Sequence, residues 1–225
     1  MNYVNSGQFT IPVMSVENFY ENPKEIREFA LSQKYQKSID GRWPGKRTEQ
    51  LYELDVELFN SFCQRLFSLI FDYSVSSVNW EVNTSFQLIE PVNSPRNKGW
   101  IHTDEGILFA GVIYLDEDPD IDAGTTIYNP KHPILLDDYI KWSDCKVDYE
   151  LEDKDINYNN TLVEHYNYFD EAVTVKNKFN RLVLFDANQW HAASFSQTKQ
   201  RLTQAFFVEC VESHSPPPIV RLNSL

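Results

Sequence analysis

Cysteine is scarce in this chain and shows no paired spacing: Cys63, Cys145 and Cys210 are an odd number set far apart. That pattern fits neither a disulfide framework nor a zinc ribbon and leads us to expect a reducing, cytoplasmic setting. Long apolar runs are also missing. No stretch approaches the ~18 residues of a membrane span, and the opening MNYVNSGQFTIPVM lacks the basic and apolar regions of a secretory signal. A soluble, unprocessed chain without a membrane partner is the expectation. Positive charge is in deficit, with 20 Lys and Arg against 33 Asp and Glu and a formal charge of −13. Such a field repels polyphosphate at long range and disfavours nucleic acid as a partner. No internal repeat is present. What the chain does have is core material: 42% of its 225 residues are hydrophobic, enough for one compact domain.

The texture changes near Ser74. Before it, Asn22-Pro23-Lys24-Glu25 reads as a helix start, with Asn capping, Pro in the first turn and Glu three residues on as in a capping box. Leu58, Phe59, Phe62, Cys63, Leu66, Phe67 and Ile70 recur at three- and four-residue steps and predict a second helix over about 55–73, its stripe buried as core. Between them, Gly41-Arg42-Trp43-Pro44-Gly45-Lys46-Arg47 is a turn-rich basic loop. It either contacts a substrate or pairs with the acidic residues around Asp144–Asp155. After Ser74 come short β-branched and aromatic runs: Trp80–Glu90, Gly99–Asp104, Ile107–Leu115, Thr125–Tyr128, Arg181–Asp186, Gln189–Phe195 and Arg201–Val211.

Many short strands behind N-terminal helices predict a mostly β chain with helical support (α+β), a double-sheet jelly roll of the cupin type with helices bracing one sheet. The expected organisation is a single domain over 1–225: helical support over 1–75, jelly roll over 76–211 and a tail over 212–225. An acidic insertion at about 129–180 interrupts the roll and is long enough to be a lid. In the tail, Ser215-Pro216-Pro217-Pro218 cannot continue a ladder and should leave as an extended strap.

Candidate metal ligands stand out on the strands. His102 and Asp104 are two apart, which on an extended strand points both side chains to one face, and His191 begins a later strand. Two histidines and one carboxylate occupy one face of an octahedral Fe(II) and leave positions for a bidentate oxo acid and for O2. His-x-Asp alone arises by chance. The weight comes from Arg201, ten residues after His191, with Thr203 on the same strand face. Arginine presents a planar fork that grips a carboxylate, and a hydroxyl two residues on can share its oxygens.

These residues together resemble the 2-oxoglutarate and Fe(II)-dependent oxygenases, in particular the prolyl-hydroxylase-like branch. His102-Thr103-Asp104 is similar to the family's His-x-Asp, and Val112-Ile113-Tyr114-Leu115-Asp116 to its Tyr-Leu-Asn/Asp strand end. Ala123-Gly124-Thr125-Thr126-Ile127-Tyr128 resembles Gly-Gly-x-Thr-x-Phe, and Leu184-Phe185 through His191 to Arg201 resembles the closing Phe, His and Arg/Lys. The resemblance covers about 100–128 and 180–210. It implies a double-stranded β-helix with Fe(II) on His102, Asp104 and His191, and 2-oxoglutarate on Arg201 and Thr203, with Tyr114 and Thr126 helping. It also implies O2 as co-substrate and hydroxylation with release of succinate and CO2, and the reading we favour is a protein, peptide or amino-acid-like small-molecule substrate. Where the prolyl hydroxylases carry a tyrosine on the strand before His-x-Asp, this chain has Phe86-Gln87-Leu88-Ile89. Asp104 is retained, which speaks against halogenation. Other outcomes of the same hydrogen abstraction, desaturation and demethylation, remain open. A catalytically silent cupin-like binding module and a zinc hydrolase or isomerase are the readings from other classes, and neither has a use for Arg201 beside the metal.

Overall fold

A computed structural model of the chain describes residues 3–4, 9–38, 43–72, 78–135, 139, 142, 156–213 and 221–222. The helices are α1 (Pro23–Ser32), α2 (Leu51–Leu54), α3 (Val56–Ser68) and α4 (Ile156–Asn167). The strands are β1 (Tyr3–Val4), β2 (Phe9–Thr10), β3 (Met14–Val16), β4 (Gln36–Lys37), β5 (Lys46–Arg47), β6 (Val78–Ile89), β7 (Phe109–Tyr114), β8 (Thr125–Pro130), β9 (Phe169–Val175), β10 (Leu182–Asp186), β11 (Trp190–Ala193), β12 (Arg201–Ser213) and β13 (Arg221–Leu222).

α1 opens on Pro23 as expected, but Asn22 makes no side-chain cap, so the capping box at Asn22 and Glu25 does not form. Its φ of −117° and ψ of 66° lie outside the extended conformation from which a cap side chain reaches the first turn. The box occurs instead at Gln50 and Glu53 of α2. Asp55 caps α3, accepting from the N–H groups of Glu57 and Leu58 at 3.0 and 2.9 Å.

Among the described residues, eight strands form one antiparallel sheet in the order β3-β10-β7-β12-β6-β5-β4, with β1 beside the end of β12. β11, β8 and β9 form a second sheet, and β13 pairs with β2. Side chains alternate across a sheet, and on β12 the two sets have different neighbours. Leu202, Phe206 and Val208 join Phe62, Leu66 and Phe67 of α3 in one apolar cluster. Gln204 shares that face and is satisfied there, accepting from the Tyr20 hydroxyl at 2.6 Å and donating to Thr84 Oγ1 at 3.1 Å. Arg201, Thr203, Ala205 and Phe207 point the other way, into the space between the sheets, where Tyr114, Ile127, Val183 and Phe185 form a second cluster. This is the double-stranded β-helix that the sequence leads one to expect, mostly β with helices bracing the large sheet.

Several elements differ from expectation. Gly99–Asp104 is not a strand: only His102 pairs, in an isolated bridge to His191. The segment over 129–180 is not all outside the barrel, since it contributes the end of β8 and the whole of β9 to the second sheet, with α4 between them. β9 carries little sequence signal because it is an edge strand whose residues 170–174 are exposed, so no alternating apolar face marks it. Ser215–Pro218, Gly41, Arg42 and Asp144–Asp155 lie outside the described residues. Cys63 and Cys210 are free thiols, and Cys145 falls outside the described residues. No helix among the described residues is long and apolar enough to cross a membrane.

Candidate active site

His191 lies on β11 opposite Ile127 of β8. The main chains of His102 and His191 exchange both hydrogen bonds, His102 N–H to the His191 carbonyl at 3.0 Å and His191 N–H to the His102 carbonyl at 2.9 Å. Directly opposed residues of an antiparallel pair project to one face, and the two ring centroids are 4.5 Å apart. Asp104 is placed by its N–H on the Ala187 carbonyl at 2.9 Å and by a turn through Gly106, at φ 79°, that brings the Ile107 N–H to the Asp104 carbonyl at 3.3 Å. The convergence of His102 and Asp104 thus comes from a bridge and a turn, not from the continuous strand expected. Asp104 Oδ1 is 3.6 Å from His102 Nε2, and Oδ2 is 3.3 Å from His191 Nε2. The three side chains offer ligand atoms that all lie within 4.8 Å of one another.

Neighbouring carbonyls assign the tautomers. His102 Nδ1 is 2.7 Å from the Trp100 carbonyl, and His191 Nδ1 is 2.8 Å from the Gln189 carbonyl. A carbonyl only accepts, so each ring carries a proton on Nδ1. Each ring thereby turns its Nε2 toward the Asp104 carboxylate, and two imidazole nitrogens and a carboxylate converge. Carbonyl-oriented imidazoles with one carboxylate are a donor set that fits a divalent first-row metal, Fe(II) included.

Arg201, at the start of β12, is 1% exposed. Its Nε donates to the Ala123 carbonyl at 3.0 Å. Its Nη2 and the Thr203 hydroxyl are both buried and have no hydrogen-bond partner among the described residues. Leaving a buried polar group unpaired costs about 1–3 kcal/mol, more for a charged one. Two such groups, two residues apart on one strand face, fit a carboxylate that would satisfy both. Burial pulls the Arg201 pKa below its usual value, while Tyr114 and Asp116 pull it back up. The Tyr114 ring is 5.4 Å from the guanidinium carbon, and its hydroxyl donates to Thr125 Oγ1 at 2.8 Å. Burial raises the Tyr114 pKa, opposed by the Arg201 charge. Asp116 accepts from the Leu202 N–H at 2.9 Å, and burial raises its carboxyl pKa against that bond and Arg201.

His102, Asp104, His191 and Arg201 line one cavity of about 230 Å³. Thr203 and Tyr114 stand beside Arg201 as cross-strand partners. Thr126 does not join them. Its hydroxyl meets Thr174 Oγ1 on β9 at 3.0 Å, and Thr125 lines the cavity in its place, because adjacent strand residues face opposite sides. Sequence reasoning also missed Gln87 and Phe207 as cavity walls. It singled out the basic loop, and there Trp43, Pro44 and Arg47 line the cavity. The Arg47 guanidinium lies 5.0 Å from the Trp43 ring and 5.2 Å from the Phe207 ring, and Gln87 Nε2 donates to the Pro44 carbonyl at 2.7 Å. The three cations within six residues were the available signal.

The sequence profile of a family described as "Family of unknown function (DUF6445)" matches residues 1–205. No curated protein matches the chain. Among solved structures it is similar to EvdO2 from Micromonospora carbonacea var. aurantiaca complexed with 2-oxoglutarate, at 14% identity over 97% of this chain and 98% of that one, with a TM-score of 0.55. It is similar to HygX from Streptomyces hygroscopicus with nickel, 2-oxoglutarate and hygromycin B bound, at 11% identity over 88% and 83%, TM-score 0.53. It is also similar to a prolyl hydroxylase from Trichoplax adhaerens in complex with a hypoxia inducible factor peptide fragment, at 13% identity over 87% and 82%, TM-score 0.53. At these identities the likeness is one of fold, the double-stranded β-helix that 2-oxoglutarate-dependent oxygenases share.

Proposed function

The chain belongs to the family of unknown function DUF6445, and from the site itself we propose that it is a non-haem Fe(II)- and 2-oxoglutarate-dependent dioxygenase that hydroxylates a peptide, protein or small-molecule substrate, releasing succinate and CO2. The observation that carries this reading is the pairing of two incomplete sites. A convergent His102, Asp104 and His191 set shares its cavity with Arg201, whose Nη2 and neighbouring Thr203 hydroxyl are buried without hydrogen-bond partners among the described residues. A silent binding barrel or a zinc hydrolase would leave that cation without a purpose.

In this reading His102 Nε2, Asp104 and His191 Nε2 hold the iron, and Arg201 with Thr203 holds the distal carboxylate of 2-oxoglutarate. Bound together with O2, iron and oxo acid supply the oxidising power for replacing a substrate C–H by C–OH. The chain's own residues do the positioning. The Trp100 and Gln189 carbonyls fix the imidazole planes. Ala123 and Tyr114 orient the guanidinium, so that its free edge is presented without rotamer loss on binding. Phe185, Ala205 and Phe207 line the same cavity and keep it apolar around the charged groups, which strengthens each electrostatic contact. Trp43 and Arg47 are proposed to meet the primary substrate. The related folds bind a peptide in one case and hygromycin B in another, so both substrate classes suit the architecture.

The test is succinate release by purified protein given Fe(II), 2-oxoglutarate and O2. The reading expects slow turnover without substrate that requires all three and is lost in Asp104→Ala. Succinate no higher than in Asp104→Ala under every metal and pH condition would count against it. A screen over peptides and free amino acids for stimulation of that turnover would then identify the substrate.

A further inference from the structure

We infer that the last turn of α4, although outside the barrel, sets the position of His102: His165 and Tyr166 are positioning residues that hold the main chain leading to the ligand. The inference rests on the reading of His102 as a metal ligand.

The segment before His102 has no ladder to hold it. In a strand, the carbonyls of 98–101 would be taken by a neighbouring strand, yet here only His102 pairs. Side chains meet these carbonyls instead. The Tyr166 hydroxyl meets the Lys98 carbonyl and donates to the Gly99 carbonyl at 2.6 Å. His165 Nε2 lies 2.9 Å from the Ile101 carbonyl, which makes it a donor. The remaining one, on Trp100, accepts from His102 Nδ1 at 2.7 Å. Two adjacent side chains of one helix therefore fix the peptides on both sides of the carbonyl that aims the metal ligand.

The packing leaves little slack. His165 is fully buried and stacks on Trp100 with centroids 4.3 Å apart and planes 8° apart, while Trp142 and Phe169 meet it edge-on at 4.6 and 5.1 Å. From the other side, Gly99 at φ 51° lies against β11, where an added Cβ would come 2.3 Å from the Ala193 carbonyl. The segment is held between α4 and β11, and a tilt of the Trp100 peptide turns the His102 ring with it. The direct partner of a metal-bound imidazole, here the Trp100 carbonyl, is worth about ten- to a hundredfold in metal affinity, which sets the upper limit for the residues that hold that carbonyl in place.

The experiment measures Mn(II) affinity by paramagnetic resonance titration, together with the unfolding temperature, in four variants of the full chain. His165→Phe keeps a stacking ring and deletes the donor, Tyr166→Phe deletes the hydroxyl, and His165→Gln returns an N–H near the lost Nε2. Leu162→Ala, in the same helix and apolar cluster, is the control for simple destabilisation. We expect His165→Phe and Tyr166→Phe each to weaken Mn(II) binding measurably, by up to about tenfold, and His165→Gln to recover part of it. Leu162→Ala should lower the unfolding temperature and keep the parent's Mn(II) affinity. Unchanged affinity in both donor deletions, or an equal loss in Leu162→Ala, overturns the inference while the metal reading stands. If His165→Phe fails to fold, half-buried Tyr166 carries the test. A parent chain that binds no Mn(II) overturns the metal reading and this inference with it.

Discussion

Replacing Arg201 by Lys separates charge from geometry. In the parent the guanidinium does three things: Nε holds the Ala123 carbonyl at 3.0 Å, its plane lies by the Tyr114 ring, and Nη2 is left for a carboxylate. A lysine ammonium is a point donor without a planar face, so it can serve Ala123 or reach the ligand but not do both. Losing one charge-assisted hydrogen bond is worth about 1.5–3 kcal/mol, roughly ten- to a hundredfold in the Kd for 2-oxoglutarate. Burial adds a second effect of known sign. The site already pulls the arginine pKa down by desolvation, and an amine starts lower, so the lysine variant sheds its proton at a pH where arginine does not. Its 2-oxoglutarate affinity should therefore fall further as pH rises toward about 9, while the parent's stays flat. Calorimetric titration of 2-oxoglutarate into Mn(II)-loaded protein reads both effects. An unchanged Kd in Arg201→Lys, with Mn(II) still bound, would remove Arg201 from the oxo-acid site.

Three further outcomes follow from the same geometry. His102→Ala, Asp104→Ala and His191→Ala should each nearly abolish succinate release with an unchanged circular dichroism spectrum, because the barrel folds without relying on the ion as zinc fingers do; full activity in any one removes that residue from the site. Thr125→Val should weaken 2-oxoglutarate binding more than Thr126→Val does, because Thr125 lines the cavity and holds the Tyr114 hydroxyl beside Arg201, whereas Thr126 faces Thr174 on β9; equal changes in Kd would refute this account of strand parity. His165 has its pKa pushed by burial from the usual 6.5 to about 4, so between those values the unfolded chain binds a proton that the folded chain does not. Stability from this group is complete above pH 6.5 and is lost as pH falls toward 4, by on the order of 3 kcal/mol, and unfolding temperatures that fall with pH as steeply in His165→Phe as in the parent would contradict it.

Much of this was legible in the residues, though not always for the right reason. The α3 stripe follows from its three- and four-residue periodicity, whereas the cap at Asp55 came only from the structure. His102, Asp104 and Arg201 were picked out by residue type and order, but the i, i+2 argument for His102 and Asp104 assumed a strand where the chain makes one bridge and then a turn. Thr126 was chosen over Thr125 because a motif gives residue order without fixing which face each strand residue takes. β9 was invisible because its edge position leaves most of its side chains exposed. The contribution of α4 was beyond reach from sequence, since His165 and Tyr166 bind main-chain carbonyls more than sixty residues away and carry no local pattern that says so.

The central claim, that His102, Asp104 and His191 hold Fe(II) beside an oxo acid on Arg201, is tested most directly by anaerobic titration of the protein with Fe(II) and then 2-oxoglutarate, followed by visible absorption. A weak charge-transfer band is expected that needs both additions, is absent in Asp104→Ala, and requires more 2-oxoglutarate to appear in Arg201→Lys. No band in the parent at saturating Fe(II) and 2-oxoglutarate, or an equal band in Asp104→Ala, would contradict it.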